Sequence, residues 1–300
     1  MRIGLIHGVK KLFGKNIISA FYRSLGFLSD EKYIRIIYRL RMGKKLNLEH
    51  PRTFTEKLQW LKLNDHNPLY PTIADKLAMR GYVEKKVGPG YTVPVLGVWK
   101  KFSDIDFEKL PKRFVLKTTH DSGSFVICND KAAFDKAKAK KILTRSLKRN
   151  YYKTTREWQY KDIEPKIIAE EYLDDGKRNL TDYKFFCFNG KPVFMYYEEE
   201  ASEHLTQAIA DMQYNPMPFT MEDEKAECLP PKPEQFGSME SIAQKLSDGF
   251  SFVRVDMYCI GDKVYVGELT LYHYGGYSPF HPAEWDLKLG EMLDISRVRS

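Results

Sequence analysis

A chain of 300 residues is longer than a single hydrophobic core usually serves, so two or three subdomains are expected. Apolar residues at 43% and charged residues at 29% are ordinary for a globular protein, and four dispersed cysteines (Cys128, Cys187, Cys228, Cys259) argue against a zinc site or disulfide framework and for a reducing cytoplasm. The net charge of +8 sits in residues 1–50, which hold eleven Lys/Arg against three Asp/Glu, so the remainder is neutral and no nucleic-acid partner is expected.

Residues 5–25 carry apolar positions at helical spacing, among them Leu5, Val9, Leu12, Ile17 and Phe21, with Lys10, Lys11 and Lys15 between them. The pattern reads equally as an interfacial helix on an anionic membrane surface and as a helix packed on the body of the protein. No apolar run approaches the roughly 20 residues needed to span a bilayer. A second helix is expected over about 30–42. Thr53 with Glu56 three residues on forms a capping box that opens a third helix. A fourth is expected over about 72–87, containing Asp75 and Lys76 and stopped by Gly88-Pro89-Gly90.

From Tyr91 the period changes to that of strands, at 91–99, Phe114–Thr118 and Phe125–Cys128, followed by a basic helix over about 131–149. Strands return at Ile167–Tyr172, Tyr183–Phe188 and Val193–Tyr197, the last two joined by an Asn189-Gly190 turn. The stretch 200–236 reads as an extended loop, then come a helix at about 238–248, a hairpin turning at Gly261-Asp262, and a closing helix at about 282–293. This is an α+β pattern without a Walker A sequence or GxGxxG after a strand.

The chemistry concentrates in four places. In the hairpin, Arg254, Asp256, Glu268 and Thr270 lie in otherwise apolar strands, where an unpaired carboxylate is costly. Asp256 and Glu268 closed by Thr270 make a hard-oxygen set suited to Mg²⁺; the plainer alternative is one internal salt bridge from Arg254 to either acid. Lys117 ends an apolar strand and is followed by a loop containing His120, Ser122, Gly123 and Ser124, which suits phosphate wrapping or an ordinary polar hairpin. The strand containing Glu170, Glu171, Tyr172 and Leu173 runs into Asp174-Asp175-Gly176, either an adenine-binding linker or a strand edge kept soluble by charge. Lys184 sits among Tyr183, Phe185 and Phe186 and needs an acid or a phosphate.

The order of these signals resembles the ATP-grasp superfamily, and within it the TupA-like family named for teichuronopeptide synthesis. The residues that carry the resemblance are Thr53–Trp60, Ala74-Asp75-Lys76, Phe114–Lys117, Ala169–Leu173, Asp182–Phe186 and Gly267–Thr270. It implies an ATP-grasp fold of two α+β subdomains clasping a nucleotide, with a helical region at 1–70, a first subdomain at 71–165 and a second, metal-bearing one at 166–300. It further implies ATP and Mg²⁺ as cofactors. Lys76, Lys117 and Lys184 would contact phosphates, the loop His120–Ser124 would close over them, and Glu170–Leu173 would hold adenine with Asp175 near the ribose. Asp256, Glu268 and Thr270 would bind metal, and Arg254 with Lys184 would serve catalysis. The implied activity is amide ligation on a bacterial cell-surface polysaccharide, joining a small amine to a saccharide or uronic-acid acceptor through an acyl phosphate. The location would be cytoplasmic, with residues 1–25 touching the inner face of the membrane. A glycosyltransferase using a nucleotide-sugar donor and a non-catalytic nucleotide-binding protein are the alternatives. Thr270 stands where many ATP-grasp enzymes carry Asn, and the loop Tyr272–Tyr277 after the metal strand is the expected place of the acceptor.

Overall fold

A computed structural model describes residues 22, 24–176, 180–201, 204–221 and 229–298. The amphipathic stretch expected at 5–25 thus falls almost wholly outside the described residues. In chain order the helices before the first sheet are α1 (Asp30–Met42), α2 (Phe54–Asn64), α3 (Tyr70–Ala74) and α4 (Met79–Val87). Then come β1 (Val95–Trp99), β2 (Phe114–Thr118), β3 (Phe125–Cys128), α5 (Lys136–Leu147), α6 (Tyr152–Thr155) and β4 (Ile167–Glu171). The remainder is β5 (Asp182–Phe188), β6 (Lys191–Ala201), β7 (His204–Asp211), α7 (Phe236–Ser247), β8 (Phe252–Ile260), β9 (Lys263–Thr270) and α8 (Glu284–Met292).

The strands form two antiparallel sheets, ordered β1-β4-β2-β3 and β7-β6-β5-β8-β9. Because β4 pairs with both β1 and β2, the first sheet extends to Glu171, past the boundary expected at residue 165. Its apolar face, with Phe114, Leu116 and Ala169, packs on Ala139 and Leu143 of α5. In the second sheet side chains alternate between faces. Phe185, Cys187, Val253 and Val255 share a core with α7, where Phe185 meets Phe236 at 5.5 Å. On the opposite face Phe188 and Phe252 surround Phe54 of α2 at 5.3 and 5.1 Å. That face is apolar at one end and charged at the other, where Lys184, Arg254 and Asp256 lie.

Three expectations need correction. The helix expected at 72–87 is broken: Asp75 leaves helical geometry and its Oδ1 accepts the Leu77 N–H at 2.8 Å, while the Lys76 N–H donates to Thr119 O at 3.0 Å. The break frees Lys76 from a helix surface and aims it at the first sheet. The basic helix starts only at Lys136, capped by Asp135, after a short 3-10 turn at Lys131–Ala133. The stretch expected as a loop from residue 200 contains strand β7, paired with β6 through Asp211.

The chain termini of the described region are tied together at α2. The capping box forms, with Thr53 Oγ1 accepting the Glu56 N–H and Glu56 reaching back to the Thr53 N–H at 3.1 Å. Asp286 of α8, only 4% exposed, accepts the Thr55 N–H and hydroxyl, both at 2.8 Å, and pairs with Lys44 at 2.9 Å. Gly290 permits this approach, since a Cβ there would lie 2.1 Å from Arg52 O and 2.7 Å from Phe54 N. Backbone cannot yield as a flexible side chain can, so Gly290→Ala is expected to cost about 2–3 kcal/mol. Denaturant unfolding should show a lower midpoint, and an unchanged midpoint would contradict the contact.

Candidate active site

Between the two sheets lies a groove of about 440 Å³, lined by Lys76, Lys117, Lys184, Glu170, Asp256 and Glu268 among others. The strand register explains how these charges meet. Lys184 is paired across β5 and β8 with Asp256, and Asp256 across β8 and β9 with Glu268, so the three stand in a row on neighbouring strands. On the facing sheet Lys117 Nζ reaches Glu170 Oε2 at 2.6 Å. Lys76, projecting from the break between α3 and α4, donates to Asp121 O.

Arg254 is buried and binds Asp256 through two nitrogens, Nε to Oδ1 at 2.6 Å and Nη2 to Oδ2. Its Nη2 also lies 3.2 Å from both Glu268 Oε1 and Thr270 Oγ1, and its Nη1 lies 2.6 Å from His273 Nδ1. Burial disfavours the charged guanidinium, but Asp256 and then Glu268 outweigh this and push Arg254 up. Burial, with help from Glu268 and against Arg254, raises Asp256 to about 7. Burial also opposes ionised Glu268, yet Lys76 and Arg254 prevail and hold it down at about 2. Burial, then the charges of Arg254 and Lys184, lower His273 well below the usual range. The ring is therefore neutral, and the Arg254 donor assigns Nδ1 as acceptor. Lys184 is held by Asp182 at 3.1 Å and Glu198 at 2.9 Å; burial lowers it, but Asp182 and Asp256 raise it further.

The loop after β2 is built around Asp121. Its Oδ1 accepts from Thr118 Oγ1 at 2.6 Å, and its Oδ2 accepts from Ser124 Oγ and Ser146 Oγ, each at 2.6 Å. Gly123, with φ +79, and Ser124 line the groove. Ser122 is exposed at the loop tip and outside the groove lining. His120 points away: its Nε2 lies 3.2 Å from Ser146 O and 3.1 Å from Arg149 O, fastening the loop to the end of α5. Thr270 also stays outside the lining, its hydroxyl donating to Glu268 Oε1 at 3.0 Å. Among the described residues no group of three His, Cys, Asp or Glu forms a metal cluster. Of the expected set, Asp256 and Glu268 border the groove and Thr270 is bonded to Glu268, and the salt bridge from Arg254 is present beside them.

Glu170, Glu171, Tyr172, Leu173 and Asp175 all border the groove at the end of β4. The Glu171 N–H is taken by Pro94 O at 3.0 Å, and the Tyr172 ring stacks under Arg113 at 3.8 Å. The remaining wall includes the apolar Val93, Val115 and Leu180.

Beyond β9, Tyr274, Gly275 and Gly276 all have positive φ. For Tyr274 at φ 46 this is a strained conformation, costing on the order of 1–2 kcal/mol. Two fully buried side chains of α2 hold it: Gln59 Nε2 donates to Gly275 O and Gly276 O at 2.9 Å, and Lys62 Nζ donates to Gly275 O at 2.7 Å. Burial lowers Lys62 to about 8 and raises Glu157 to about 7, each partly countered by the other's charge.

Sequence reasoning named Gln59, Asp121 and His273 only as members of the stretches Thr53–Trp60, His120–Ser124 and Tyr272–Tyr277, with no role of their own, and missed Lys62, Glu157 and Glu198. Asp121 had a signal, an acid flanked by Thr118, Thr119, Ser122 and Ser124; the others depend on tertiary contacts.

Two sheets closing on a groove with three lysines on its walls and paired acids at one end define a nucleotide-clasping architecture. The chain matches the TupA-like ATP-grasp family over residues 56–294 and belongs to it. That family is one of ATP-dependent ligases, with ATP and Mg²⁺ as cofactors. A comparison with curated proteins gives no match. Among solved structures, the chain is similar to a D-alanine–D-alanine ligase from Bacillus anthracis complexed with ATP, at 17% identity and a TM-score of 0.41, covering 76% of this chain and 71% of that one. It is also similar to the D-cycloserine synthetase DcsG, at 15% identity and a TM-score of 0.43, covering 77% and 72%.

The residues present fit both cofactors. Lysines 76, 117 and 184 converge on one groove and suit a polyphosphate, apolar Val93, Leu173 and Leu180 suit a base, and the adjacent carboxylates Asp256 and Glu268 are hard-oxygen donors for Mg²⁺. A raised Asp256 binds its proton more readily in the folded than in the unfolded state, so its stabilising contribution is full at low pH and lost as pH rises toward about 7. Asp256→Asn removes that dependence. In metal-free buffer the unfolding midpoint of the variant relative to the wild type should rise between pH 5 and 8, and a constant difference would contradict the shift.

Proposed function

We propose that this protein is a carboxylate–amine ligase that consumes ATP to amidate a uronic-acid carboxylate of a bacterial cell-surface polysaccharide or its precursor. The observation that carries the reading is the buried Arg254 beside the Asp256–Glu268 pair at the lysine-lined groove of an ATP-grasp family member. Transfer of the γ-phosphoryl group to a carboxylate oxygen of the acceptor forms a mixed anhydride and releases ADP. Attack by an amine lone pair at the acyl carbon, loss of the amine proton and departure of phosphate complete the amide.

The side chains have distinct tasks in this scheme. Lys76, Lys117 and Lys184 neutralise phosphate oxygens and keep the phosphoryl group in line. Arg254, fixed by Asp256 and His273, stabilises the oxyanion that develops at the acceptor carbonyl. The Gly123 loop, anchored through Asp121, shields the anhydride from water. Asp256 and Glu268 would hold Mg²⁺, which when bound supplies charge to the transferring phosphoryl group. The support for a polysaccharide acceptor is the family's association with teichuronopeptide synthesis.

Among the described residues no helix is long and apolar enough to cross a membrane. We place the protein at the inner membrane face through its basic residues 1–25, which liposome flotation tests: the shortened chain should lose binding to anionic vesicles, and equal flotation would contradict the placement.

Thermal unfolding with ATP, nucleotide sugars and Mg²⁺, singly and paired, tests the donor. ATP with Mg²⁺ should raise the midpoint, by about 2.7 kcal/mol of stabilisation at a hundredfold excess over Kd, and Lys117→Met should reduce the rise. A rise with a nucleotide sugar alone would contradict the ligase and favour glycosyl transfer. Phosphate release in the presence of ATP, glucuronic or galacturonic acid and an amino acid then tests the acceptor.

A further inference from the structure

Among the described residues three aromatic side chains are exposed, Phe27, Phe125 and Tyr274. Phe27 precedes α1, and Phe125 belongs to the groove wall. Tyr274, 43% exposed, is held out against its backbone preference. Its φ of 46 puts a bulky side chain in the left-handed region, which glycine and asparagine enter more readily. Strain of this kind persists where the surroundings enforce it, and it gathers at ligand sites.

The enforcement is specific. Gly275 and Gly276 follow with φ 65 and 74, and their carbonyls are met from beneath by Gln59 and Lys62. Burying the Lys62 ammonium is itself costly, so the loop rests on a group that an apolar core would not choose. A glycine or asparagine at 274 would satisfy the same backbone with less strain, so the backbone does not account for the tyrosine. Core packing does not account for it either, because the side chain stays largely in solvent.

What the ring has is its position. It rests on His273 with centroids 4.2 Å apart, and Phe186 lies edge-on to His273 at 4.8 Å. Phe186 and His273 are buried, so Tyr274 is the outward end of a row of rings. His273 Nδ1 in turn lies 2.6 Å from Nη1 of Arg254, which borders the groove. One imidazole therefore joins an exposed aromatic face to the guanidinium of the site.

Resting on the ligase reading above, we infer that Tyr274 is the platform on which the pyranose ring of the acceptor stacks, while Arg254 takes its carboxylate. A pyranose is amphipathic: its axial C–H bonds make apolar faces and its hydroxyls lie round the rim. A tyrosine ring offers such a face apolar area at little rotamer cost. A uronic acid carries its carboxylate at the edge of that face, which matches an aromatic ring set beside a guanidinium. The enforced backbone fixes the ring in advance, so binding does not have to order it. A small aliphatic amine has no such face, which assigns the subsite to the sugar.

The test is saturation-transfer NMR of the full chain with ADP, Mg²⁺ and methyl β-D-glucuronide or methyl β-D-galacturonide. Saturation should reach the ring protons of one sugar face more strongly than the O-methyl group. The methyl glycoside of the neutral sugar, lacking the carboxylate, should bind on the order of tenfold more weakly. Tyr274→Asn keeps a residue that tolerates the backbone and removes the ring. It should weaken uronide binding on the order of tenfold, without lowering the unfolding midpoint and with the rise caused by ATP and Mg²⁺ intact. Tyr274→Phe, which keeps the ring face, should restore uronide binding. Wild-type uronide affinity in Tyr274→Asn, saturation spread evenly over the sugar, or no uronide binding by the wild type would overturn the platform. A lowered midpoint in Tyr274→Asn would also overturn it, by showing that the ring serves the fold. Uronide stacked on Tyr274 without ATP-dependent phosphate release would sink the ligase reading alone. Phosphate release with a uronic acid at an unchanged KM in Tyr274→Asn would sink the platform alone.

Discussion

A guanidinium buried inside a β-sheet is tolerated only when its charge and its hydrogen-bond donors are answered, and Arg254 sets that demand for the second sheet. Asp256 takes Nε and Nη2, Glu268 and Thr270 each lie within reach of the same Nη2, and His273 accepts from Nη1. Removing one partner would strand a buried charge, which usually costs more than the intact pair gains. The register that satisfies Arg254 also lines up Lys184, Asp256 and Glu268 across three strands. A slip of one residue would turn the row to the face occupied by α7. Stability of the sheet and assembly of the site therefore depend on one pairing.

The same economy governs the loop beyond the sheet. The conformation of Tyr274 is unfavourable in isolation and is held from below by Gln59 and Lys62, which fill the carbonyls of Gly275 and Gly276. Gly276 is required for that contact, because a Cβ would lie 2.4 Å from Gln59 Nε2. Helix α2 is in turn fixed by Thr53, Glu56 and Asp286. Helix α2 thus acts as a brace for the loop Tyr272–Tyr277, joined to the second sheet through one core.

Much of this was legible in the sequence where the information is local. The strands Phe114–Thr118 and Phe125–Cys128, the Asn189-Gly190 turn and the Thr53–Glu56 box follow from alternation and turn or cap chemistry, and they form as read. Asp256 and Glu268 announced themselves as acids in apolar strands. The break at Asp75 was missed because the helical pattern continues across it, while Lys76 finds its partners 43 or more residues away in Thr119 and Asp121. Strand β7 was missed because it is an edge strand with weak alternation, specified by its pairing with β6. His120 and Thr270 were read as ligand contacts from chemistry alone; their partners Ser146, Arg149, Glu268 and Arg254 are set by the tertiary fold.

The central claim is that the site activates a carboxylate by phosphorylating it. The most direct measurement is the fate of ¹⁸O in a uronic acid labelled in its carboxylate, incubated with the protein, ATP, Mg²⁺ and an amine. Passage through an acyl phosphate moves one labelled oxygen from the acid into the phosphate released, which mass spectrometry reads as a two-dalton shift matching amide formed. Phosphate released without label, or the labelled oxygen found in AMP, would contradict the account.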